Sequence, residues 1–190
     1  MTSGQIDMFS APAAMPAGLR YAPDVITPEQ EGLLADAMAA LPFRPFEFQG
    51  FIGNRRVVSF GWRYAFDGGG LHPTEPMPAF LLPVRDAAAR YAGLDPAMLE
   101  QVLLTEYAPG AAIGWHRDRP VFGEVVGLSL LSPARMRFRR KQGAKWERRE
   151  LLVQPRSAYH LAGEARSEWE HSIPPVETKR YSITFRTLRV

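Results

Sequence analysis

The sequence contains no cysteine, which excludes disulfide bonds, thiolate-bound zinc and iron–sulfur clusters. No apolar run approaches the ~20 residues that a membrane-spanning helix needs. The N-terminal stretch "MTSGQIDMFSAPAAMPAG" lacks the basic and apolar regions of a signal peptide. A net charge of +3 is small, so a strongly basic surface requires local clustering of cations. We therefore expect a cytoplasmic protein without a membrane anchor, and we expect it to be a monomer.

With 190 residues, the chain is long enough for one domain with a real core and too short for two comfortable ones. Residues 1–24 are rich in Ala, Pro, Gly and Met without periodicity, which predicts a flexible N-terminal tail ahead of one domain over residues 25–190. Order begins with Thr27 as a predicted N-cap, Pro28 at the first helical position and Gln30 completing a capping box.

Two helices precede a long run of strands. The first carries an apolar stripe listed as Leu33, Leu34, Ala37, Met38 and Leu41, and the second covers about residues 79–92 with Gly93 as its stop. After Glu100 the sequence alternates short strand-like segments with turns. This pattern predicts the α+β class, with a closed or sandwiched antiparallel sheet in the C-terminal half.

The segment "GWHRDRP" places His116 and Asp118 two positions apart, on one face if the chain is extended there. An isolated pair of this kind is commonly a hydrogen-bonded surface pair. The alternative is that they are two of three metal ligands, and then another histidine has to supply the third. Two histidines and one carboxylate suit Fe(II) and leave coordination positions open.

Three further histidines are available as the third ligand. His72 lies in a loop rich in Gly and Pro and is predicted to be solvated. His160 lies within the strand-like "SAYHLAG", where a core histidine satisfied by a hydrogen bond is the expected role. His171 precedes a double proline, and a rigid turn there can hold an imidazole in place.

The segment "RYSITFR" alternates polar and apolar residues, as a strand with one face on a core does. Its polar face comprises Arg180, Ser182, Thr184 and Arg186. If that face points into a barrel, the two arginines need anionic partners, and a bound dicarboxylate would supply them. The alternative is an exposed sheet face.

The ordered set of H-x-D, W-x-H and R-x-S-x-T-F-R resembles the AlkB family of Fe(II)/2-oxoglutarate-dependent dioxygenases. The similarity covers about residues 43–189 and is densest in "LTEYAPGAAIGWHRD" and "WEHSIPPVETKRYSITFR". It implies a double-stranded β-helix, or jelly roll, over residues 100–190, preceded by helices. Residues 43–75 would form a strand extension like the family's nucleotide-recognition lid.

The resemblance implies Fe(II), 2-oxoglutarate and O2 as cofactors, and oxidative dealkylation of N-alkylated bases in nucleic acid, with DNA repair as the expected role. The implied iron ligands are His116, Asp118 and His171, with Arg186 beside them in the catalytic centre. The implied 2-oxoglutarate site is Arg180 and Tyr107 at the distal carboxylate, Arg186 near the proximal one, and Thr105 and Ser182 as hydrogen-bond donors.

Two departures from the family bear on the substrate. Thr105 and Ser182 stand where asparagine is frequent, and both still donate a hydrogen bond. Arg119 and Pro120 follow the H-x-D, where close DNA-repair members have acidic residues that read the base. An oxygenase acting on a protein side chain or a small metabolite is therefore an alternative. A nucleic-acid-binding module without turnover is another.

Two stretches are candidates for nucleic-acid contact. In "RRVVSFGWRYAF", an aromatic strand face is predicted, either as a stacking platform or as an ordinary core face. It comprises Phe60, Trp62, Tyr64 and Phe66, flanked by Arg55, Arg56 and Arg63.

The second stretch, residues 135–149, carries eight Arg and Lys residues around a predicted turn. Met136 and Phe138 would face inward, while Arg137 and Arg139 would meet phosphates. A solvated hairpin neutralised by its own glutamates is the alternative.

The N-terminal "QIDMF" resembles the short peptide by which many bacterial repair proteins dock on the DNA polymerase sliding clamp. Met8 and Phe9 would enter an apolar pocket while Gln5 makes polar contacts at its edge. A disordered tail suits such a weak, reversible tether.

Overall fold

A computed structural model describes residues 14–48, 51–66 and 68–189. The strands within these ranges are β1 Leu19–Ala22, β2 Arg44–Phe48, β3 Phe51–Phe60, β4 Trp62–Ala65, β5 Gly70–Pro73, β6 Gln101–Tyr107, β7 Ile113–His116, β8 Phe122–Leu130, β9 Ala134–Gln142, β10 Lys145–Val153, β11 Ala158–Leu161, β12 Glu170–Ile173 and β13 Arg180–Leu188. The helices are α1 Pro28–Ala39, α2 Leu82–Ala92 and α3 Gly163–Ser167, and short 3-10 turns cover Ala79–Leu81 and Pro96–Met98. Among the residues described, no helix combines the length and the apolar character that a membrane crossing requires.

Two antiparallel sheets contain most of the strands. The larger has the order β1-β11-β8-β13-β6-β3-β2, the smaller has the order β10-β9-β12-β7, and β4 pairs with β5 separately. From β6 onward, strands of the two sheets interleave along the chain, as they do in a jelly roll. The antiparallel C-terminal half that the sequence predicts is therefore present.

Each face of the larger sheet has its own core. On the outer face, Ile183 and Phe185 of β13 belong to one cluster with Leu34 and Met38 of α1. On the inner face, a second cluster includes Met136 and Phe138 of β9, which are buried as predicted, together with Trp169. Since side chains alternate along β13, its polar residues point into the space between the sheets.

Helix α1 begins as its sequence predicts. The hydroxyl of Thr27 accepts a hydrogen bond from the Gln30 backbone N–H at 3.2 Å, and the Gln30 side chain accepts one from the Thr27 N–H at 2.8 Å. The predicted stripe is only partly correct, because Leu33 is 72% exposed while Leu34 and Met38 are buried. Helix α2 ends at Gly93, whose φ of 74° is the left-handed cap that glycine favours.

The predicted tail extends too far, because β1 belongs to the larger sheet. Leu19–Ala22 pairs in antiparallel register with Ala158–Leu161, and Arg20 lies opposite His160. A Cβ on Gly18 would lie 2.2 Å from the carbonyl oxygen of Ala162, so the chain approaches β11 closely there. A four-residue edge strand is too short to show periodicity, which is why composition alone predicted a tail.

The predicted lid-like segment contains two pieces of sheet. Strands β2 and β3 extend the larger sheet beyond β6, whereas β4 and β5 form a separate hairpin. The break falls at Gly61, whose φ is 76° and where a Cβ would meet the carbonyl oxygen of Glu100 at 2.0 Å. Residues on either side of Gly61 therefore do not share one strand face.

Candidate metal centre and its cavity

The three predicted metal ligands lie together. His116 is the last residue of β7, and His171 lies directly opposite it on the antiparallel strand β12. One ligand atom from each of His116, Asp118 and His171 lies within 4.8 Å of the others. This set has the composition of the 2-His-1-carboxylate triad that binds non-haem Fe(II).

A main-chain hydrogen bond fixes the tautomer of His116. Its Nδ1 lies 2.9 Å from the carbonyl oxygen of Gly114. A carbonyl oxygen can only accept, so Nδ1 carries the proton and Nε2 keeps its lone pair. The Nε2 of His171 lies 3.8 Å from Oδ2 of Asp118, and the two imidazole rings have centroids 4.3 Å apart. His116 is thus oriented to offer Nε2 as a ligand.

The protonation states also favour a metal. Burial, and to a lesser extent the neighbouring His116, lower the pKa of His171 to about 3. The pKa of His116 is lowered too, chiefly by burial. Burial alone would raise the pKa of Asp118, but the positive charge of Arg186 holds it well below its usual value. At neutral pH the site therefore holds two neutral imidazoles and one carboxylate, which are the forms that bind metals.

Arg186 orients the carboxylate ligand. Its Nε and its Nη2 both lie 2.8 Å from Oδ1 of Asp118. Its Nη1 donates to Oε1 of Gln101 at 2.9 Å. Both ends of the guanidinium are therefore held, and Arg186 contacts Oδ1 of Asp118, whereas Oδ2 is the oxygen near His171.

One donor of the buried Arg180 guanidinium is not satisfied by any of the described residues. The side chain is 1% exposed, its Nε donates to Oγ of Ser129 at 3.2 Å, and its guanidinium lies 4.9 Å from the ring centroid of Tyr107. Its Nη1 is buried and, among the described residues, has no hydrogen-bond partner. A buried cation with an unsatisfied donor is costly unless an anion completes it. The residues present therefore fit a carboxylate of 2-oxoglutarate.

The other predicted cosubstrate residues line the same cavity. Ser182 on β13 is the register partner of Thr105 on β6, and Tyr107 is the partner of Arg180. All of these residues line one cavity together with the three metal ligands and Arg186. The arginines of β13 therefore face inward, and the alternative of an exposed face is wrong.

Tyr159 also lines this cavity, and the sequence did not single it out. Its ring lies against the backbone of Gly127 on β8, where a Cβ would come within 2.1 Å of the ring. The available signal was alternation: His160 was predicted to face a core, and its neighbour Tyr159 must then face the other way.

The remaining histidines lie outside the cavity. His160 is 4% exposed, its Nε2 lies 2.5 Å from a Glu124 carboxylate oxygen, and its Nδ1 accepts a hydrogen bond from Arg20. It is the hydrogen-bonded core histidine that the sequence predicts. His72 is exposed as predicted, although it lies on β5 rather than in a loop.

The predicted aromatic platform has to be corrected at Phe60. This side chain is 8% exposed and belongs to the core between the larger sheet and the helices, because Gly61 ends the strand directly after it. Trp62 and Tyr64 lie beyond the break, on β4, and are half-buried. Arg55 stands at the cavity rather than on an outer surface, and burial lowers its pKa.

The basic hairpin of β9 and β10 turns at Gly143, with φ 60°, as predicted. Most of its arginines have acidic partners: Arg135 pairs with Glu150, Arg139 with Glu170, Arg140 with Glu147, Glu164 and Glu168, and Arg149 with Glu147. Arg137 has no carboxylate within 4.0 Å in the described part of the chain. It donates to Oγ of Ser172 and lies 5.1 Å from the ring centroid of Trp115.

The sequence model of the 2OG-Fe(II) oxygenase superfamily matches residues 18–186. The alkylated DNA repair protein ALKBH8 homolog of Arabidopsis thaliana is 27% identical over 183 residues, covering 83% of this chain and 51% of the relative. The mouse tRNA (carboxymethyluridine(34)-5-O)-methyltransferase ALKBH8 is 27% identical over 168 residues, covering 85% of this chain and 25% of the relative. The chain thus spans between a quarter and about half of these relatives.

Solved structures show the same fold. OsALKBH1 superposes with a TM-score of 0.64 at 15% identity, covering 92% of this chain and all of that one. A prolyl-4-hydroxylase of Pseudomonas putida gives a TM-score of 0.62 at 15% identity, covering 91% and 94%. The predicted jelly roll is therefore confirmed, and the family implies the predicted cofactors Fe(II), 2-oxoglutarate and O2. The chain belongs to the 2OG-Fe(II) oxygenase superfamily and is AlkB-like in sequence.

Proposed function

We propose that this chain is an Fe(II)/2-oxoglutarate-dependent dioxygenase that dealkylates bases in nucleic acid, with DNA as the preferred candidate. The observation that carries the enzymatic part is the presence of the triad and Arg180 in one cavity. A buried guanidinium with an open Nη1 lines the same cavity as three metal ligands. A binding module without turnover would have no use for either feature.

Each cavity residue has a separate task in this proposal. His116, Asp118 and His171 would hold Fe(II), and Arg180 with Tyr107 would bind one carboxylate of 2-oxoglutarate. Bound Fe(II) and 2-oxoglutarate supply the activation of O2 for oxidation of a C–H bond. Arg186 keeps the Asp118 carboxylate ionised and oriented.

Two observations support nucleic acid as the substrate. Two relatives carry names that refer to alkylated DNA repair and to a tRNA modification. On the smaller sheet, the guanidinium of Arg139 lies 4.5 Å from the ring centroid of Trp115 and 4.3 Å from that of Trp146, and Trp146 is 41% exposed. Alternating cations and aromatic rings suit a single-stranded backbone and its bases. The ion pairs of the hairpin leave fewer free cations than its composition predicts.

The test is product release with a substrate panel. Purified protein with Fe(II) and 2-oxoglutarate should release succinate and formaldehyde in equal amounts with at least one methylated oligonucleotide. His171→Ala should release neither above background, which controls for contaminating activity. Succinate release that no oligonucleotide stimulates would reject the proposal.

A second candidate function is oxidation of a protein side chain or a small metabolite. It is favoured by the fold likeness to a prolyl-4-hydroxylase and by Arg119 and Pro120, which depart from the acidic residues of DNA-repair members. Peptides and amino acids added to the same assay would detect it.

Three further parts of the proposal are independent of the cavity. We propose a cytoplasmic monomer, and a weak tether to the sliding clamp through Gln5, Met8 and Phe9. These residues lie outside those that the structure describes. A synthetic peptide of residues 1–12 should bind purified clamp and lose binding when Gln5 and Phe9 become Ala.

A further inference from the structure

Arg119 directly follows the metal ligand Asp118, and its guanidinium lies against aromatic rings of the lid-like segment. Its central carbon is 5.0 Å from the ring centroids of both Tyr64 and Phe66. Within residues 14–48, 51–66 and 68–189, its side chain makes no hydrogen bond and no ion pair. A guanidinium has five N–H donors and no acceptor, so this group is available to a ligand rich in acceptors.

These residues belong to a larger group that we call the rim cluster: Phe46, Arg55, Tyr64, Phe66 and Arg119. Phe66 meets Phe46 edge-on with centroids 5.6 Å apart, and the guanidinium of Arg55 lies 3.8 Å from the Phe46 centroid. Arg55 in turn lines the metal cavity. The rim cluster therefore joins the lid-like segment to the loop after Asp118 at the edge of the cavity, where an extruded base would stack.

The backbone of Arg119 is held in place by two hydrogen bonds. Its carbonyl oxygen accepts a hydrogen bond from Nη2 of Arg166 at 2.8 Å and another from the Phe122 N–H at 3.0 Å. Arg166 is 5% exposed and donates to two further carbonyl groups. This anchoring limits where the Arg119 side chain can reach, which a residue that reads a substrate requires.

The cavity carries an excess of positive charge. Among the described residues that line it, Arg55, Arg180 and Arg186 are cationic, and Asp118 carries the one carboxylate. Fe(II) and the 2-oxoglutarate dianion carry opposite charges of equal size, so together they leave the positive excess unchanged. Arg119 adds one more positive charge at the rim. A cationic substrate base would therefore meet like charges on entry.

We propose that Arg119 selects bases that are uncharged and present carbonyl oxygens, as derivatives of uracil, thymine and guanine do. It would disfavour 1-methyladenine and 3-methylcytosine, whose rings are positively charged. Arginine donates readily to the acceptor edge of such keto bases, as its pairing with guanine shows. This inference rests on the proposed function, since it takes nucleic acid as the substrate.

The test measures binding to the protein without iron or 2-oxoglutarate. Fluorescence anisotropy would compare single-stranded oligonucleotides of one sequence with a single central 1-methylguanine, 3-methylthymine, 1-methyladenine or 3-methylcytosine. We expect the two uncharged bases to bind about fivefold or more tightly than the two cationic ones. Arg119→Glu should abolish or invert that preference. Arg119→Gln, which removes the charge and keeps a donor, should reduce it.

Arg117→Glu is the matched control, because Arg117 is exposed in the same loop and its Nη1 donates only to the carbonyl oxygen of Ser167. It should weaken all four oligonucleotides equally and leave the preference intact. Equal binding of all four by the unaltered protein, or an unchanged preference in Arg119→Glu, would overturn the inference about Arg119. If oligonucleotide-stimulated succinate release persisted in either case, the proposed function would stand. Absence of any oligonucleotide binding would reject both.

Discussion

Arg186 holds Asp118 by one oxygen only. Its Nε and Nη2 both contact Oδ1, and Oδ2 remains on the side of His171, 3.8 Å from that residue's Nε2. We therefore expect Asp118 to bind a metal through Oδ2 alone. With Oδ1 occupied by the guanidinium, Asp118 would supply one bond to a metal, and coordination positions would stay available for small ligands.

The third ligand can be tested by comparing two histidine variants. His171→Ala should abolish Fe(II) binding, measured by anaerobic calorimetric titration, because it removes one of three ligands. His160→Ala should retain the metal and lose about 1–3 kcal/mol of stability, because the hydrogen bonds to Glu124 and Arg20 disappear. Loss of metal by the His160 variant with retention by the His171 variant would contradict the triad.

Arg180→Lys should raise the 2-oxoglutarate KM at least about tenfold, since losing a charge-assisted hydrogen bond costs roughly 1.4 kcal/mol or more. A lysine has a single side-chain nitrogen, which cannot stand both where Nε of Arg180 donates to Ser129 and where Nη1 is open to a carboxylate. Steady-state kinetics with 2-oxoglutarate varied would measure the change, and the Fe(II) affinity should stay the same. An unchanged KM would remove Arg180 from the cosubstrate site.

The metal-free protein should lose stability as the pH falls below about 6.5. The folded state holds His171 neutral with a pKa of about 3, whereas the unfolded chain protonates it near its ordinary value of 6.5. The unfolded state thus binds more protons in this window, and lowering the pH from 7 to 5 should cost about 2 kcal/mol through this group. Urea unfolding in the presence of a chelator would measure it. His171→Asn should show a flatter dependence, and an equal dependence would place the effect elsewhere.

Substitutions at Phe60 and Tyr64 should affect different properties, stability in the first case and oligonucleotide binding in the second. Phe60→Ala should reduce the free energy of unfolding by about 3–5 kcal/mol, because it leaves a cavity in the core. Tyr64→Ala should change that free energy by less than about 1 kcal/mol, but weaken oligonucleotide binding about fivefold or more through lost stacking. The reverse pattern would restore Phe60 as a base contact.

The salt dependence of binding should distinguish free from paired arginines on β9. Arg137→Ala should flatten the slope of log affinity against log salt by about one unit, because Arg137 has only Ser172 and Trp115 as described partners. Arg135→Ala should change the slope less, because Glu150 already neutralises Arg135. Equal slopes in both variants would contradict a contact between the arginines of β9 and the oligonucleotide.

Local signals in the sequence predicted the parts of the fold that depend on neighbours along the chain. The capping box of α1, the glycine cap of α2 and the alternation along β13 were all readable within about ten residues. Strand β1 was missed, because its only evidence is pairing with β11 far along the sequence. Phe60 was misassigned because a glycine inside an apolar run does not reveal where a strand turns.

The sequence predicts those site residues that belong to a spaced motif. It does not predict contacts between residues that come together only when the chain folds. His116, Asp118 and His171 follow from residue type and spacing together with a family resemblance. The sequence does not predict the ion pairs that neutralise Arg139 and Arg140. Glu170 reaches Arg139 through the pairing of β12 with β9. Glu164 and Glu168 reach Arg140 through the position of α3. The sequence marks Arg119 only as a departure from the acidic residues of DNA-repair members. Its stacking on Tyr64 depends on how the lid-like segment folds back.

The pairing of β1 with β11 has a consequence for how the chain folds as it is synthesised. Arg20 and His160, which are hydrogen-bonded across these strands, are 140 residues apart in sequence. Strand β1 therefore leaves the ribosome long before its partner exists, and it has to remain unpaired until β11 has emerged. Closing so long a loop carries a large entropic cost, so edge closure by β1 is expected to be among the last folding events. Until then β11 presents an open edge, to which another copy of the chain can pair.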